Sequence, residues 1–267
     1  MLKDITIGQF FPGNSVIHRL DPRFKLVITM VFIVMLFVGK SPIGLVIGGL
    51  YTLIAIALSK IKFNLFVKSI KPILPFLLIT AVLNLLFIAQ GEVYFRWKFI
   101  KITEGGVNTS VFMIFRIIFL IAGSSLLTYT TSPIALTDAV ERLLSPLKKL
   151  KFPVHELAMM MTIAIRFIPT LIEETDKIIL AQKARGAEIS TGSITNRMKN
   201  VIAIIIPLFV SSFRRAEELA TAMECRCYNG GEGRTRLRQL KSGLRDYAAL
   251  LFTFVFLGSV IAVNVFF

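Results

Sequence analysis

The chain alternates long apolar runs with short charged connections over its first 132 residues and again at its end. A helix that spans a bilayer needs about 20 mostly apolar residues, and five segments meet or approach that length. These segments are Leu26–Gly39, Pro42–Leu58, Pro72–Gly91, Ile117–Thr137 and Tyr247–Phe267. The run Gly105–Phe115 extends the fourth of them upstream of a lone Arg116. The first is the shortest, but Phe24 and Lys25 extend it, because a lysine stem can lie along apolar surface. The pattern therefore predicts an all-α integral membrane protein with about five transmembrane helices.

Residues 134–245 have a different pattern, in which charges of both signs alternate with apolar residues at helical spacing. This periodicity predicts three helices that start near Pro133, Pro153 and Asn196. The second, over 154–185, would be roughly 45 Å long at 1.5 Å per residue, longer than a membrane core is thick. The apolar centre of the third, over 201–213, is too short to predict a crossing.

The sequence thus divides into three parts. Residues 1–132 form a membrane domain with four spans, residues 133–245 form cytoplasmic or interfacial helices, and residues 246–267 form the final span.

Composition and charge predict how the chain lies in the membrane. Of its 267 residues, 55% are hydrophobic, and 31 Lys and Arg outnumber 16 Asp and Glu. Cytoplasmic loops of membrane proteins carry an excess of Lys and Arg. If the N-terminus is inside, nearly all basic residues between the spans fall in inside segments, so we expect a cytoplasmic N-terminus and an extracellular C-terminus. Topology explains the basicity, so the expected surroundings are a lipid bilayer, and no nucleic-acid partner is expected.

Two of the predicted long helices end alike. One ends in Ala184-Arg185-Gly186 and the other in Cys225-Arg226-Cys227, so each has an arginine between two small residues. A cation in the last helical turn complements the helix dipole, and glycine is a common stop. Alternatively, an arginine between small side chains can enter a partner's groove and pair with carboxylates. The recurrence of the pattern at two helix ends favours the second interpretation.

This arrangement, over essentially the whole chain, resembles the transmembrane coupling subunit (T component, EcfT) of energy-coupling factor ABC transporters. The resemblance implies a scaffold in a bacterial cell membrane that binds two ABC ATPase subunits. It also implies a small membrane-embedded substrate-binding (S) subunit, which ATP-driven motion would topple to import a vitamin or a metal ion. The residues implied to contact the ATPases are Ala184, Arg185, Gly186, Cys225, Arg226 and Cys227. The second motif departs from the family's Ala-Arg-Gly form, because Cys replaces both small residues.

No enzymatic site is apparent in the sequence. The segment Gly186–Ser193 is rich in Gly, Ser and Thr but lacks the Gly-Lys pair of a phosphate-binding loop, so ATP hydrolysis is expected in partner subunits. The pair Cys225 and Cys227 could suggest a metal site, but a four-ligand zinc site needs further Cys or His residues. We therefore expect no catalytic residue, cofactor or metal in this chain.

Several alternatives stay open at this stage. A self-sufficient secondary transporter would need polar groups in its spans, for which Arg116 and Asn84 are the candidates. An intramembrane enzyme would need a metal cluster or a nucleophile–base pair. Arg116 either marks a transport path or lies at the membrane boundary, and Gly44 and Gly48 favour close helix packing. Met159–Met161 suit either an adaptable binding surface or ordinary packing.

Overall fold

The computed structural model describes residues 10–88, 92–97, 100–150, 152–187, 194–230 and 240–266. Its α-helices are α1 (Pro22–Val38), α2 (Pro42–Ser59), α3 (Phe63–Ile70), α4 (Leu74–Phe87), α5 (Glu104–Thr130), α6 (Pro133–Leu144), α7 (Val154–Ala184), α8 (Ile194–Glu224) and α9 (Leu244–Phe266). Two 3₁₀ turns, Lys71–Ile73 and Ser145–Leu150, follow α3 and α6. A hairpin of strands β1 (Val93–Trp97) and β2 (Ile100–Thr103) was not predicted. The predicted class, an all-α integral membrane protein, is confirmed, with this hairpin as a small addition.

Five helical segments within the described residues are long and apolar enough to cross a membrane. They are Pro42–Ser59, Phe63–Phe87, Glu104–Thr130, Val154–Ala184 and Leu244–Phe266. The number agrees with the prediction, but the set differs in two members. Helix α1, which contains the predicted first span except for Gly39, has 17 residues and is about 25 Å long. Helix α7 qualifies although its sequence was assigned to the cytoplasmic or interfacial part.

Two predicted spans had wrong boundaries. The third was predicted to begin at Pro72, but α3, the 3₁₀ turn and α4 form one helical segment from Phe63. Lys68 and Lys71 interrupted the charge-free run and hid this earlier start; residues 89–91 lie outside the described part. The fourth was predicted to continue to 137, but α5 ends at Thr130. The chain is extended just after that helix, as is usual before a proline that begins a new one.

The described chain forms two compact units, one of residues 8–139 with 239–267 and the other of residues 140–238. In the first unit, α1 packs against α5 and α9, α2 packs against the same two helices, and α4 lies along α5. The buried centre of this unit consists of Phe32, Met35, Leu36, Tyr51 and Val260. The Tyr51 hydroxyl is 3.0 Å from the hydroxyl of Thr253 on α9, so the one phenol in this centre has a polar partner.

Glycines bring these helices together. A Cβ atom at Gly48 would lie 2.7 Å from a methyl carbon of Leu36, and one at Gly123 would lie 2.2 Å from the ring of Phe32. Both distances are far below an ordinary carbon–carbon contact of about 3.5–4.0 Å. Gly48 therefore lets α2 pack closely against α1. A Cβ at Gly44 would meet the Cα of Gly39 at 3.3 Å and a methyl carbon of Val260 on α9 at 3.5 Å, so the Gly44-x-x-x-Gly48 motif serves close packing, as the sequence predicted.

A single carboxylate joins the beginnings of α1 and α9. Asp246 is 4% exposed, and its Oδ1 accepts the N–H of Asp21, the N-cap residue of α1, at 2.8 Å. Its Oδ2 accepts the N–H of Gly243, the residue before α9, at 2.7 Å. This arrangement, the Asp246 clamp, satisfies one otherwise unpaired N–H at the start of each of two helices.

Two cations in this unit bind the carbonyl ends of helices. The ammonium of Lys25 donates to the carbonyl of Thr130, the last residue of α5, at 2.8 Å. The guanidinium of Arg116 donates to the carbonyl of Gly39, the C-cap residue of α1, at 2.6 Å. A positive charge at a helix C-terminus is stabilising. These contacts support a structural role for Arg116 at the boundary of the bundle.

The second unit is built around α7 and α8. Pro169 and Pro207 lie inside these helices without ending them. Gln182 on α7 donates to the carbonyl of Ala203 on α8 at 3.2 Å, whereas Arg215, further along α8, is 3.5 Å from Glu174, further back on α7. Because the partners run in opposite order along the two helices, α7 and α8 pack antiparallel.

Candidate functional site

The α7 end, Ala184–Gly186, closes with a regular hydrogen-bonded motif. Arg185 is the C-cap residue, and Gly186 follows in the left-handed region at φ +87°. The N–H of Gly186 donates to the carbonyl of Lys183 at 3.0 Å, and the N–H of Ala187 donates to the carbonyl of Gln182 at 3.0 Å. These two bonds define a Schellman motif, which satisfies carbonyls that the helix itself leaves unpaired.

The α8 end, Cys225–Cys227, has the same backbone geometry. The N–H of Cys227 donates to the carbonyl of Glu224 at 2.8 Å, and the N–H of Tyr228 donates to the carbonyl of Met223 at 3.1 Å. Cys227 is in the left-handed region at φ +56°. Arg226 therefore occupies the C-cap position, and the two ends correspond residue by residue.

The two ends differ in how easily they adopt this geometry. Glycine enters the left-handed region at no steric cost, whereas a residue with a Cβ is disfavoured there by roughly 1–2 kcal/mol. Gly186 is thus the ordinary choice for the position, and Cys227 holds the same conformation under strain. Strained backbone of this kind is more common at functional positions than elsewhere.

Both arginine side chains are exposed. Neither guanidinium has a hydrogen-bond or ion-pair partner among residues 152–187 and 194–230. The backbone N–H groups of the Schellman motifs already bond the last helical carbonyls, so the arginines are not needed as side-chain caps. This geometry weakens the interpretation of Arg185 and Arg226 as caps alone and leaves two fork-shaped donors available to a partner.

The antiparallel packing places the two ends at opposite ends of the helix pair. The α7 end lies beside Ala203, because Gln182, one turn earlier, bonds that residue's carbonyl. Arg226 lies about 35 Å from Ala203 along the axis of α8, at 1.5 Å per residue. A partner interface of ordinary size buries about 800 Å² on each side, which is too small to include both arginines.

Helix α8 also carries an apolar face that no described residue covers, the α8 stripe. Its residues recur at helical spacing and are each between 47% and 62% exposed: Val201, Ile202, Ile205, Ile206, Phe209, Val210 and Phe213. On α7, Met160 and Met161 are likewise exposed, at 54% and 45%. Exposed apolar patches of this kind mark protein or membrane contacts.

The apolar run at 201–213 is visible in the sequence, where its short length predicts no membrane crossing. The spacing of its exposed members was the signal that could have identified the α8 stripe. Cys225 and Cys227 are exposed and are not joined in a disulfide. Within the described ranges, no three His, Cys, Asp or Glu side chains come together to hold a metal ion. The linker predicted at Gly186–Ser193 lies outside the described part from residue 188 onward.

The comparisons with known proteins agree with this architecture. A family model described as "CbiQ: Cobalt transport protein" matches residues 13–237. The energy-coupling factor transporter transmembrane protein EcfT of Clostridium kluyveri is 54% identical over 253 residues, covering 94% of this chain and 93% of the relative. The protein of the same name from Ruminiclostridium cellulolyticum is 49% identical over 261 residues, covering 98% and 97%. The one from Bacillus subtilis is 47% identical over 240 residues, covering 90% and 91%.

These matches extend over both units, and they confirm the family that the sequence motifs indicated. The five apolar helices further agree with a multi-pass membrane protein. The chain therefore belongs to the CbiQ family, as a transmembrane component of energy-coupling factor transporters.

Proposed function

We propose that this chain couples ATP hydrolysis by two partner ABC ATPase subunits to the movement of a separate substrate-binding membrane subunit. The observation that carries the proposal is the matched pair of helix ends. Each presents an exposed arginine from the same Schellman geometry, and the helix backbone does not need either side chain. The chain itself is a non-catalytic subunit in this proposal.

Each arginine would enter a groove on one ATPase subunit. The small neighbours, Ala184 and Gly186 at one end and Cys225 and Cys227 at the other, let a groove close around the guanidinium. Carboxylates in the groove would form paired hydrogen bonds with it. The placement at opposite ends of the antiparallel pair gives each ATPase one arginine. A change in the distance between the ATPases would then move the ends of α7 and α8, and the two helices would transmit this movement.

The α8 stripe would hold the substrate-binding subunit. A membrane-embedded partner presents apolar helices, and a row of exposed aliphatic and aromatic side chains is complementary to such a surface. Met160 and Met161 on α7 add flexible apolar contacts that can repack against different partners. The cargo would be a vitamin or a metal ion, the latter in keeping with the cobalt transport family model.

The distribution of charge supports a bacterial cell-membrane location with the N-terminus in the cytoplasm and the C-terminus outside. Both arginine ends belong to the unit of residues 140–238. That unit holds most of the basic residues, which the positive-inside rule assigns to the cytoplasmic side. Cytoplasmic ATPases could therefore reach both ends.

Charge reversal at the arginines tests the proposal. The complex would be expressed with its ATPases, and the ATPases that co-purify with Arg185→Glu, with Arg226→Glu and with the double variant would be quantified. A buried interface arginine is worth 2 kcal/mol or more, so each single change should weaken binding by about 30-fold or more. The double variant should lose both ATPases.

Arg166→Glu and Arg214→Glu are matched controls, since both residues are exposed arginines on the same two helices. They should retain the ATPases. Unchanged assembly and uptake in the double Arg185→Glu/Arg226→Glu variant would refute the proposed role of the helix ends.

A separate experiment distinguishes the proposal from a self-sufficient secondary transporter. The purified chain would be reconstituted alone in liposomes, and uptake of radiolabelled vitamins and Co²⁺ would be followed without ATPases. The coupling function predicts no uptake above that of empty liposomes. Saturable uptake by the chain alone would contradict it.

A further inference from the structure

The membrane unit contains a cavity of about 430 Å³ at the end where α1 and α9 begin. It lies between α1, α2, α5 and α9, and the segment that precedes α1 contributes Val16, Ile17 and Leu20 to its wall. Its volume is in the range of small-molecule sites, about 300–1,000 Å³. Almost all of its lining is aliphatic or aromatic, so its interior suits a hydrocarbon.

Two cationic side chains, Lys25 and Arg245, line this apolar cavity. Lys25 is 5% exposed, and its ammonium donates to the carbonyls of Thr130 and His18 at 2.8 and 3.2 Å. An ammonium has three N–H donors, so one remains for another acceptor. Arg245, in the first turn of α9, lines the same cavity and is exposed, and no described residue pairs with it.

Two carboxylates at this end of the bundle, Asp21 and Asp246, have protein partners but keep their charge and attract Lys25. Asp21 forms a 2.7 Å ion pair with Arg23. Both oxygens of Asp246 accept backbone N–H groups in the clamp. Arg19 is a further exposed cation near the cavity. The cations Arg19, Arg23, Lys25 and Arg245 outnumber the two carboxylates by two, so this end keeps a positive charge that is complementary to an anion.

We propose that this cavity binds an anionic glycerophospholipid, with one acyl chain between the helices and the phosphate at Arg245 and Lys25. The cavity extends from Arg245 to Phe252 on α9, about 10 Å at 1.5 Å per residue. That depth accommodates the upper part of an acyl chain. The site lies at the end that the charge pattern predicts to be cytoplasmic, where anionic lipids are recognised by basic pockets between helices. This lipid site goes beyond the coupling function and does not depend on it.

Native mass spectrometry of the delipidated full chain in detergent tests the proposal. The chain would be titrated with phosphatidylglycerol and, separately, with phosphatidylcholine of the same acyl composition. Both lipids carry one phosphate, but phosphatidylcholine also carries a choline cation that the nearby arginine and lysine repel. We therefore expect one phosphatidylglycerol to bind at least about fivefold more tightly than phosphatidylcholine, as one unit of net charge near the cations provides. Arg245→Gln should remove most of this preference, and because the side chain is exposed the change should not disturb folding.

A second variant tests the cavity itself. Ala249 lines the cavity on α9, and Ala249→Phe should fill it and reduce binding of phosphatidylglycerol by about tenfold or more. Matched controls come from the opposite end of the bundle: Ala262→Phe places the same bulk on an exposed part of α9, and Lys40→Gln removes an exposed cation. Both should bind like the unaltered chain. Equal affinity for the two lipids, or a preference that survives Arg245→Gln, would overturn the proposal.

Discussion

Gly123→Ala should destabilise the membrane unit, although alanine is the better helix former. The new Cβ would lie 2.2 Å from Cε1 of Phe32 and 2.9 Å from two further ring atoms. The ring would have to retreat by more than an ångström, but Phe32 is 2% exposed and stacks on Tyr51 at 5.4 Å between centroids. Overpacking of a filled core costs about 1–3 kcal/mol. Because the overlap exceeds an ångström and the ring is fully enclosed, the cost lies at the upper end, at about 3 kcal/mol. The gain in helix propensity of about 1 kcal/mol offsets part of it, which leaves a net loss of about 2 kcal/mol.

Thermal unfolding in detergent measures this effect. For a chain of this size, 1 kcal/mol corresponds to about 2–4 °C in Tm, so Gly123→Ala should lower Tm by about 4–8 °C. Gly258→Ala on α9 is the matched control, because a Cβ there meets no atom within 4 Å. The control should raise Tm slightly through helix propensity alone.

A compensating change identifies the cause. Phe32→Leu removes the ring that the new methyl group would strike, at the expense of some packing. The loss of unfolding free energy in the double variant Gly123→Ala/Phe32→Leu should therefore be smaller than the sum of the two single losses by about 1 kcal/mol or more, because neighbouring residues couple. Simple additivity of the two changes, or a rise in Tm for Gly123→Ala, would show that the packing argument is wrong.

Two further variants test other features. Asp246→Ala removes the acceptor of the N–H groups of Asp21 and Gly243, so we expect a loss of about 2–4 kcal/mol in unfolding free energy. Asp246→Asn keeps one acceptor and should lose less. If both variants were as stable as the unaltered chain, the stabilising role of the Asp246 clamp would be contradicted. Gly186→Ala should weaken the α7 end by about 1–2 kcal/mol, whereas Cys227→Gly should strengthen the α8 end by a smaller amount. Hydrogen exchange of the last turns of α7 and α8 measures both effects. If the two variants both raised or both lowered amide protection, the inferred difference in strain between Gly186 and Cys227 would be contradicted.

Much of the fold followed from the apolar pattern, because length and hydropathy largely determine which helices can span a bilayer. Helix α6 begins at Pro133 as predicted, since the cap residue Ser132 and a proline define a helix start locally. The start at Phe63 was missed because Lys68 and Lys71 break the apolar run, while a helix needs only backbone hydrogen bonds to continue through them. The hairpin β1–β2 was missed because a short segment between two spans carries little periodic signal.

The candidate site was predictable in part. The recurrence of an arginine between small residues indicated two equivalent helix ends, and the equivalence of Arg185 and Arg226 holds in the backbone bonds. The strained conformation of Cys227 could not be read from the sequence, because cysteine rarely adopts a left-handed φ. The position of the ends at opposite sides of the pair depended on contacts such as Gln182 with Ala203, which link residues on different helices.

The Asp246 clamp has a consequence for the order in which the protein is made. Helix α1 emerges from the ribosome early, but the carboxylate that holds its first turn belongs to the last helix. The contacts of α9 with α1 and α2 can therefore form only after the whole of 140–238 is synthesised, whereas those of α1, α2 and α4 with α5 can form earlier. A chain that stops before residue 246 lacks the acceptor for the N–H of Asp21 at the start of α1.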